Sequence, residues 1–175
     1  MTDIPSAVTD AEAETLRRLA FGGAVLEVGS LLGRSTVALA GVAASVLSVD
    51  PHDGYPENDP RPTLQPFLEN LERAGVRSNV TVCVATAQQA LPFLRPQQFD
   101  LAFVDCTGHY DVTLAIAELA MPLLRFDGVL CIHDFAHPQW PDVSRVVYDL
   151  DHNYWVVDRM AVLQGPWHKP LRIAS

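Results

Sequence analysis

Three aspartates in this chain of 175 residues each follow the end of a short apolar segment. Asp50 follows SVLSV, Asp105 follows LAFV, and Asp134 comes one residue after GVLCI. Two histidines, His109 and His137, come shortly after the last two of these aspartates. Carboxylates and imidazoles at one place can bind a divalent cation, accept hydrogen bonds from hydroxyl groups, or remove a proton from a hydroxyl. Their types and spacing therefore predict one polar site, provided that the apolar segments end side by side.

The apolar segments have the pattern of strands that are buried on both faces. Five of them are short and nearly continuous in apolar character, which is typical of a parallel sheet. They are Ala24–Val28, Ser45–Val49, Val80–Val84, Leu101–Val104 and Gly128–Ile132. The predicted helices are Thr9–Leu19, Arg34–Val42, Leu64–Ala74, Ala87–Leu94, Val112–Leu124 and Val143–His152. Strands that alternate with helices predict right-handed crossovers and an α/β fold with a doubly wound, Rossmann-like sheet.

The two ends of the chain follow other patterns. Thr9 with Glu12 three residues later predicts a capping box at the start of the first helix. Near the other end, Tyr154–Asp158 and Met160–Gln164 leave no room for a crossover helix, so we expect an antiparallel hairpin at the sheet edge. Pairing with Leu171–Ile173 is the alternative. The hydrophobic fraction of 49% and the length suffice for one core, so a single domain is expected.

Gly29 and Gly33 frame the turn after the first predicted strand. In an open sheet of this class, ligands bind beyond the carboxyl ends of the strands, where the strand order reverses. A dinucleotide site would need a further glycine at position 31, where this chain has Leu31. We therefore expect the turn to admit a ligand while being poorly shaped for a pyrophosphate.

Asp50 and Glu27 indicate which ligand would suit this turn. Asp50 comes 21 positions after Gly29, and a carboxylate at that place can accept both hydroxyls of a ribose. Glu27 lies inside an otherwise apolar strand, where a buried acid needs a partner such as a ligand ammonium group. S-Adenosylmethionine (SAM), an adenosine with a cationic tail and no phosphates, has both features. The alternative is a purely structural turn with a solvated aspartate.

Three stretches resemble the successive motifs of small class I SAM-dependent methyltransferases. They are VLEVGSLLGRSTVALA, VLSVDPHDG and FDLAFVDCTGHYDVTLAIAELAMPLLRFDGVLCIHDF, and the resemblance covers Ala24 to Phe135. The chain is most similar to the methyltransferase-24-like group, which includes bacterial natural-product and sugar O-methyltransferases and is related to catechol O-methyltransferase. The resemblance implies a seven-stranded, mostly parallel sheet of order 3-2-1-4-5-7-6. It also implies transfer of a methyl group to a hydroxyl of a natural-product-like or sugar-like small molecule.

The resemblance further implies which residues would hold the cofactor. Glu27, Gly29 and Ser30 would lie at the methionine end, Asp50 at the ribose, and Thr86 with Ala87 near the adenine. Gly33 and Asp105 complete the expected cofactor-binding set.

Asp105 and Asp134 are the predicted metal ligands. They lie at the ends of strands that would be neighbours, and Mg²⁺ prefers one or two carboxylates together with water and substrate oxygens. In the resembling family an ion is often bound at these two positions. Two alternatives remain: Asp105 could cap the following helix, and Asp134 could orient His133 or His137.

His109 is the preferred candidate for the catalytic base, and His137 is the competitor. The family pattern D-G-D-H-x-Y corresponds to DCTGHY here, so the histidine is shifted by one place and Thr107 replaces an acid. The freedom of Gly108 would let the loop aim the ring of His109. Cys106 is expected to be a wall residue.

The segment from Pro51 to Pro66 contains five prolines and is predicted to be a lid or substrate-binding loop, with a stiff surface connection as the alternative. A single short helix precedes the first strand. We therefore expect either an open pocket or a second subunit that completes it, as in a homo-oligomer.

Charge and composition limit the partners. The net charge of −9 repels phosphate backbones, so neither nucleic acid nor an anionic membrane is an expected partner. Three cysteines without metal-ligand spacing, the polar N-terminus and the lack of a long apolar run favour a reducing cytoplasm.

Three functions are compatible with these observations. A SAM-dependent O-methyltransferase, assisted by a divalent metal, is the first hypothesis. A SAM-binding protein without transferase activity is the second, and the shifted histidine favours it. An NAD(P)-dependent oxidoreductase is the third, and Leu31 counts against it.

Overall fold

A computed structural model describes residues 4–54 and 61–167. The helices are α1 (Asp10–Ala20), α2 (Arg34–Ala40), α3 (Leu64–Arg73), α4 (Ala87–Ala90), α5 (Tyr110–Ala120) and α6 (Pro141–Asp149). The strands are β1 (Ala24–Val28), β2 (Ser45–Val49), β3 (Val80–Cys83), β4 (Phe99–Val104), β5 (Leu124–Ile132), β6 (Tyr154–Val157) and β7 (Met160–Gln164).

The seven strands form one sheet in the order β3-β2-β1-β4-β5-β7-β6. The five strands from β3 to β5 along this order are parallel, and β7 runs antiparallel to both β5 and β6. This confirms the predicted doubly wound sheet, its strand order and the closing hairpin. The alternative partner Leu171–Ile173 lies outside the described residues.

Two prolines explain some of the differences between the predicted and the observed element boundaries. The helix predicted to reach Leu124 ends at Ala120, because Pro122 lacks the N–H that a continuing helix needs. The chain then enters β5 four residues before the predicted start, through an exposed stretch around Phe126. In α6, Pro141 stands in the first turn, where a missing N–H has no cost, so this helix begins before the predicted Val143.

Both faces of the sheet are covered by helices. Leu26 and Leu130 are fully buried on the face that packs against α4, α5 and α6. Val25 and Phe103 are fully buried on the face that packs against α1, α2 and α3. Burying each large apolar side chain stabilises the fold by about 1.5–3 kcal/mol. With both faces closed, the carboxyl ends of the parallel strands are left as the place where polar side chains can gather.

In the described part of the chain, each helix is too short or too polar to cross a lipid bilayer.

Candidate active site

A cavity of about 250 Å³ lies at the carboxyl ends of β1, β2 and β4. Five of the residues predicted to bind the cofactor line it: Gly29, Asp50, Thr86, Ala87 and Asp105. The other three predicted residues, Glu27, Ser30 and Gly33, are not among its described lining residues. Five of the eight predicted residues thus meet at one cavity, and three lie outside its described lining.

The carboxylate of Asp50 organises the turn after β1. Its Oδ2 accepts hydrogen bonds from the backbone N–H groups of Ser30 at 2.7 Å and Leu31 at 2.9 Å, and its Oδ1 accepts one from the N–H of His52 at 2.6 Å. Leu31 has a left-handed backbone with φ of +46°, which is unfavourable for a leucine. The bond from its N–H to Asp50 helps to offset that strain. Asp50 thus faces the cavity with its position fixed by three backbone donors.

Gly29 is required by the backbone of the neighbouring strand. Its φ is +88°, and a Cβ at this position would lie 2.0 Å from the carbonyl oxygen of Asp105. The group that approaches Gly29 is the end of β4, and Gly29 also lines the cavity, so the expectation that this turn admits a ligand stays a prediction. Gly33, with φ of +90°, precedes α2, and a Cβ there would lie 3.0 Å from the ring of Phe67.

In β1, Glu27 is a fully buried carboxyl group. Its Oε2 accepts a hydrogen bond from the hydroxyl of Thr36 at 2.6 Å, and its Oε1 has no hydrogen-bond partner among the described residues. Burial is the main cause that raises the pKa of Glu27 from its ordinary value to about 7. Nearby, the hydroxyl of Ser30 lies 2.7 Å from that of Ser48, so this predicted cofactor contact points its side chain at a buried neighbour.

The raised pKa of Glu27 predicts a pH-dependent stability. Because the folded state holds the proton more tightly, this group stabilises the fold fully below about pH 4.5, and the contribution is lost as pH rises through about 7. Relative to Glu27→Gln, the wild type should therefore lose about 3 kcal/mol of unfolding free energy between these two pH values. Urea denaturation of both proteins across this range measures the difference. A difference that does not change with pH would contradict the assignment.

Asp105, His133 and Asp134 form a compact cluster beside the cavity. The Nδ1 of His133 lies 3.3 Å from Oδ1 of Asp105 and 3.4 Å from Oδ1 of Asp134, although neither contact has hydrogen-bond geometry. One potential ligand atom from each of the three residues lies within 4.8 Å of the other two. The backbone N–H of His133 donates to the carbonyl of Val104 at 3.0 Å, which fixes the end of β5 against the end of β4. The predicted pair of aspartates is thus brought together, with a buried imidazole between them.

Glu12, on the first helix, completes this cluster from the other side of the imidazole. Its Oε2 lies 3.1 Å from Nε2 of His133, and both side chains are almost completely buried. Burial alone would lower the pKa of His133, but Asp105, Asp134 and Glu12 outweigh it and raise the pKa to about 12. Burial likewise raises the pKa of Glu12, and the hydrogen bonds from His133, Thr9 and Arg159 outweigh it and lower that pKa. The predicted capping box of Glu12 with Thr9 is confirmed.

Sequence reasoning missed Glu12, and it named His133 only as a residue that Asp134 could orient. His133 stood in the sequence beside the predicted ligand Asp134, and that adjacency was the available signal. Glu12 lies 121 positions away from His133, and its capping box explained its residue type without a second function.

The donor set of the cluster fits a divalent cation. Two carboxylate oxygens and one imidazole nitrogen without a hydrogen-bond partner converge on one point. A histidine that binds a metal commonly donates its other N–H to a carboxylate, which is the position that Glu12 occupies. The cluster can therefore balance its negative charge either with a protonated imidazole or with an ion.

The two candidate bases lie outside the described lining of the cavity. His109 is the N-cap residue of α5 and is exposed, with its ring edge-on to Trp140 at 6.1 Å between centroids. Asp105 therefore does not cap this helix, and that alternative is wrong. His137 is half-buried, and its Nδ1 accepts a hydrogen bond from the N–H of Gln139 at 3.1 Å. The assignment of the base stays a prediction.

Two loop residues next to these histidines have structural explanations. At Gly108, a Cβ would lie 2.2 Å from the ring of Trp140, so the close packing of this ring requires the glycine. The expectation that Gly108 lets the loop aim the ring of His109 stays a prediction. Cys106 lines the cavity, as expected of a wall residue.

The predicted lid begins and ends at a buried contact. Nδ1 of His52 lies 2.9 Å from the hydroxyl of Thr63, and the N–H of Thr63 donates to the carbonyl of His52 at 3.0 Å. Both residues are buried. Residues 55–60 lie outside the described part, so the lid stays a prediction.

Comparisons with known proteins agree on the kind of fold and domain. A family profile described as a methyltransferase domain matches residues 26–135. The catechol O-methyltransferase of Mycobacterium tuberculosis is 34% identical over 108 residues, which are 62% of this chain and 46% of that protein. The chain therefore spans about half the length of this curated relative.

Solved structures extend the similarity to nearly the whole chain. The cofactor-bound Rv0187 from MTB superimposes with a TM-score of 0.70 at 26% identity, over 94% of this chain and 84% of that one. The O-methyltransferase TomG from Streptomyces achromogenes, involved in tomaymycin synthesis and solved in complex with SAM, has a TM-score of 0.68 at 21% identity, over 94% and 82%.

Proposed function

Because the chain belongs to the methyltransferase-domain family whose profile it matches over most of its length, we propose that it is a SAM-dependent O-methyltransferase acting on a hydroxyl of a small molecule. The observation that carries the proposal is the position of Asp105, which lines the cavity and also belongs to the carboxylate–histidine cluster. Methyl transfer needs a donor site and an acceptor-activating site side by side, because alignment of the two reactants supplies much of the rate. Asp105 is where two such sites meet.

The proposed cofactor contacts follow the order of the strands. Asp50 would offer its remaining acceptor capacity to the ribose hydroxyls, and Thr86 with Ala87, which line the same cavity, would lie near the adenine. Glu27, with an unpartnered buried oxygen, would face the ammonium group of the methionine end. These assignments are supported by the family and by the SAM bound to a structural relative.

Asp50→Ala should weaken SAM binding by about 1.5–3 kcal/mol, the range for losing hydrogen bonds to a charged group. The loss includes the release of the two amides of the turn after β1, which Asp50 holds. Asp53→Ala is the matched control, because Asp53 is exposed close to Asp50 and its removal changes the net charge equally. Calorimetric titration with SAM compares the three proteins. Equal affinity in wild type and Asp50→Ala would refute this contact.

We propose further that Asp105 and Asp134 hold a divalent metal, with Mg²⁺ as the ion that the sequence suggests. Such an ion, when bound, lowers the pKa of an acceptor hydroxyl and fixes its position. The chain itself contributes two carboxylates at the ends of adjacent strands and an imidazole between them. His109 is the proposed base that removes the acceptor proton, and His137 is the alternative.

The relatives support a class of acceptor. A curated relative is a catechol O-methyltransferase and a structural relative acts in tomaymycin synthesis. We propose a hydroxylated natural product or a sugar-like molecule as the acceptor for this chain.

A second candidate function is a SAM-binding protein without transferase activity. The position of His109 and His137 outside the described cavity lining favours it. The two functions are separated by incubating the purified protein with SAM, Mg²⁺ and a panel of catechols, phenols and sugars. Formation of S-adenosylhomocysteine and a singly methylated product supports the transferase, and Asp105→Asn should remove both. SAM binding without S-adenosylhomocysteine for any acceptor supports the second function.

A further inference from the structure

Glu12 connects three separate parts of the chain through one buried carboxylate. Its Oε2 accepts from the N–H of Thr9 at 2.8 Å and lies 3.1 Å from Nε2 of His133, while its Oε1 accepts from the N–H of Arg159 at 2.8 Å. Thr9 also donates its hydroxyl to the carboxylate of Asp158 at 2.6 Å. Helix α1, the end of β5 and the turn between β6 and β7 are therefore held together at this carboxylate.

These contacts determine how the imidazole of His133 is oriented. A carboxylate that already receives two backbone N–H groups can only accept from His133, so Nε2 carries a hydrogen and donates it to Glu12. The other ring nitrogen then points between Oδ1 of Asp105 and Oδ1 of Asp134. It has no hydrogen-bond partner among the described residues, although its side chain is only 1% exposed. A buried nitrogen that faces two carboxylates, with a hydrogen bond to neither, can bind a metal ion together with them once it carries no proton.

We propose that His133 is the nitrogen ligand of the divalent ion at Asp105 and Asp134, and that Glu12 is the residue that positions it. This rests on the metal-assisted function proposed above. It widens the expected ion to transition metals, because an imidazole ligand suits them better than it suits Mg²⁺, which prefers oxygen. It also gives helix α1 a function at the site.

The substitution Glu12→Gln tests the positioning because it keeps the size of the side chain. A glutamine has one acceptor oxygen and one donor NH₂ group, whereas the site presents three donors. If the NH₂ group faces His133, Nε2 must accept, and the hydrogen moves to the nitrogen that would bind the ion. If the NH₂ group faces Arg159, two hydrogen-bond donors face each other, because the backbone N–H of Arg159 also donates. Both arrangements disturb the ligand while leaving Asp105 and Asp134 in place.

The experiment uses Mn²⁺ as the probe and electron paramagnetic resonance as the readout, in the absence of SAM and acceptor. Titration gives the affinity, and electron spin-echo modulation from ¹⁴N reports a histidine nitrogen bound to the ion. Wild type should bind Mn²⁺ and show the ¹⁴N modulation. Glu12→Gln should bind about 10- to 100-fold more weakly, the usual effect of losing the partner of a metal-bound histidine. Glu14→Gln, on the exposed face of the same helix, should behave as wild type.

The outcomes separate this inference from the function on which it rests. Wild type that binds Mn²⁺ through Asp105, but without ¹⁴N modulation, overturns the inference and leaves the two-carboxylate metal site standing. Wild type that binds no Mn²⁺ overturns both. The ¹⁴N modulation is measured on the wild type, so the inference can be tested even if Glu12→Gln folds poorly. His133→Asn provides a second test and should abolish the ¹⁴N modulation.

Discussion

Removal of divalent ions with EDTA should abolish methyl transfer, and added Mg²⁺ or Mn²⁺ should restore it, while SAM binding is largely spared. The reason is that different residues are proposed to bind SAM and the ion. The ribose and methionine contacts proposed for SAM involve Asp50 and Glu27, whereas the ion would lie at Asp105 and Asp134. A hydroxyl acceptor is a weak nucleophile until its proton is removed, so loss of the ion should affect turnover far more than cofactor affinity.

Two results would lead to different conclusions about the cluster. Full activity in EDTA, with Asp105→Ala and Asp134→Ala also active, would show that neither the ion nor the carboxylates take part. Activity in EDTA together with inactive aspartate variants would indicate a metal-free site. In such a site, the protonated imidazole of His133 would balance the negative charge of the same carboxylates. Turnover and SAM calorimetry measured on the same samples distinguish these cases.

The second large effect is expected at the catalytic base. His109→Ala should lower kcat by roughly 10²- to 10⁴-fold with SAM affinity intact, the contribution typical of a general base. His109 belongs to the loop that connects Asp105 to helix α5. Asp105 lines the cavity and also belongs to the cluster, so His109 is the histidine on the loop that leaves both. His137→Ala should instead raise KM for the acceptor, because His137 precedes the half-buried Trp140 on the other loop of the site.

His152→Ala is the matched control for these two variants. It removes an imidazole that packs against Trp167, away from the described cavity lining. The reverse pattern, with kcat lost in His137→Ala, would make His137 the base and His109 the residue that contacts the acceptor. Unchanged kcat in both variants would mean that alignment and the carboxylate cluster suffice for transfer.

The fold was predictable because its signals are local. Continuous apolar segments such as Ala24–Val28 are strands buried on both faces, and the two closely spaced segments at the C-terminal end favoured a hairpin over pairing with Leu171–Ile173. The strand order came from the resemblance of the motifs. The boundaries near Pro122 and Pro141 were less predictable, because a proline at a helix terminus changes the boundary without changing the apolar pattern.

The site was predictable in part, for a different reason. Residues that follow strands are placed at one edge by the topology, so Asp50 and Asp105 were found. The partner of an individual side chain depends on contacts between distant parts of the chain. Glu12 shows this most clearly, because its capping box is visible in the sequence and its contact with His133 is not. Gly29 shows it as well, since the atom that demands a glycine belongs to Asp105.

The central claim is that the cavity at the ends of β1, β2 and β4 binds SAM. Calorimetric titration of the purified protein with SAM, and separately with NADH, tests it most directly, because a nicotinamide cofactor would occupy the same edge of a related sheet. The account predicts saturable binding of one SAM per chain and no binding of NADH. Binding of NADH without SAM would contradict the account, and it would return the chain to the oxidoreductase hypothesis that Leu31 disfavours.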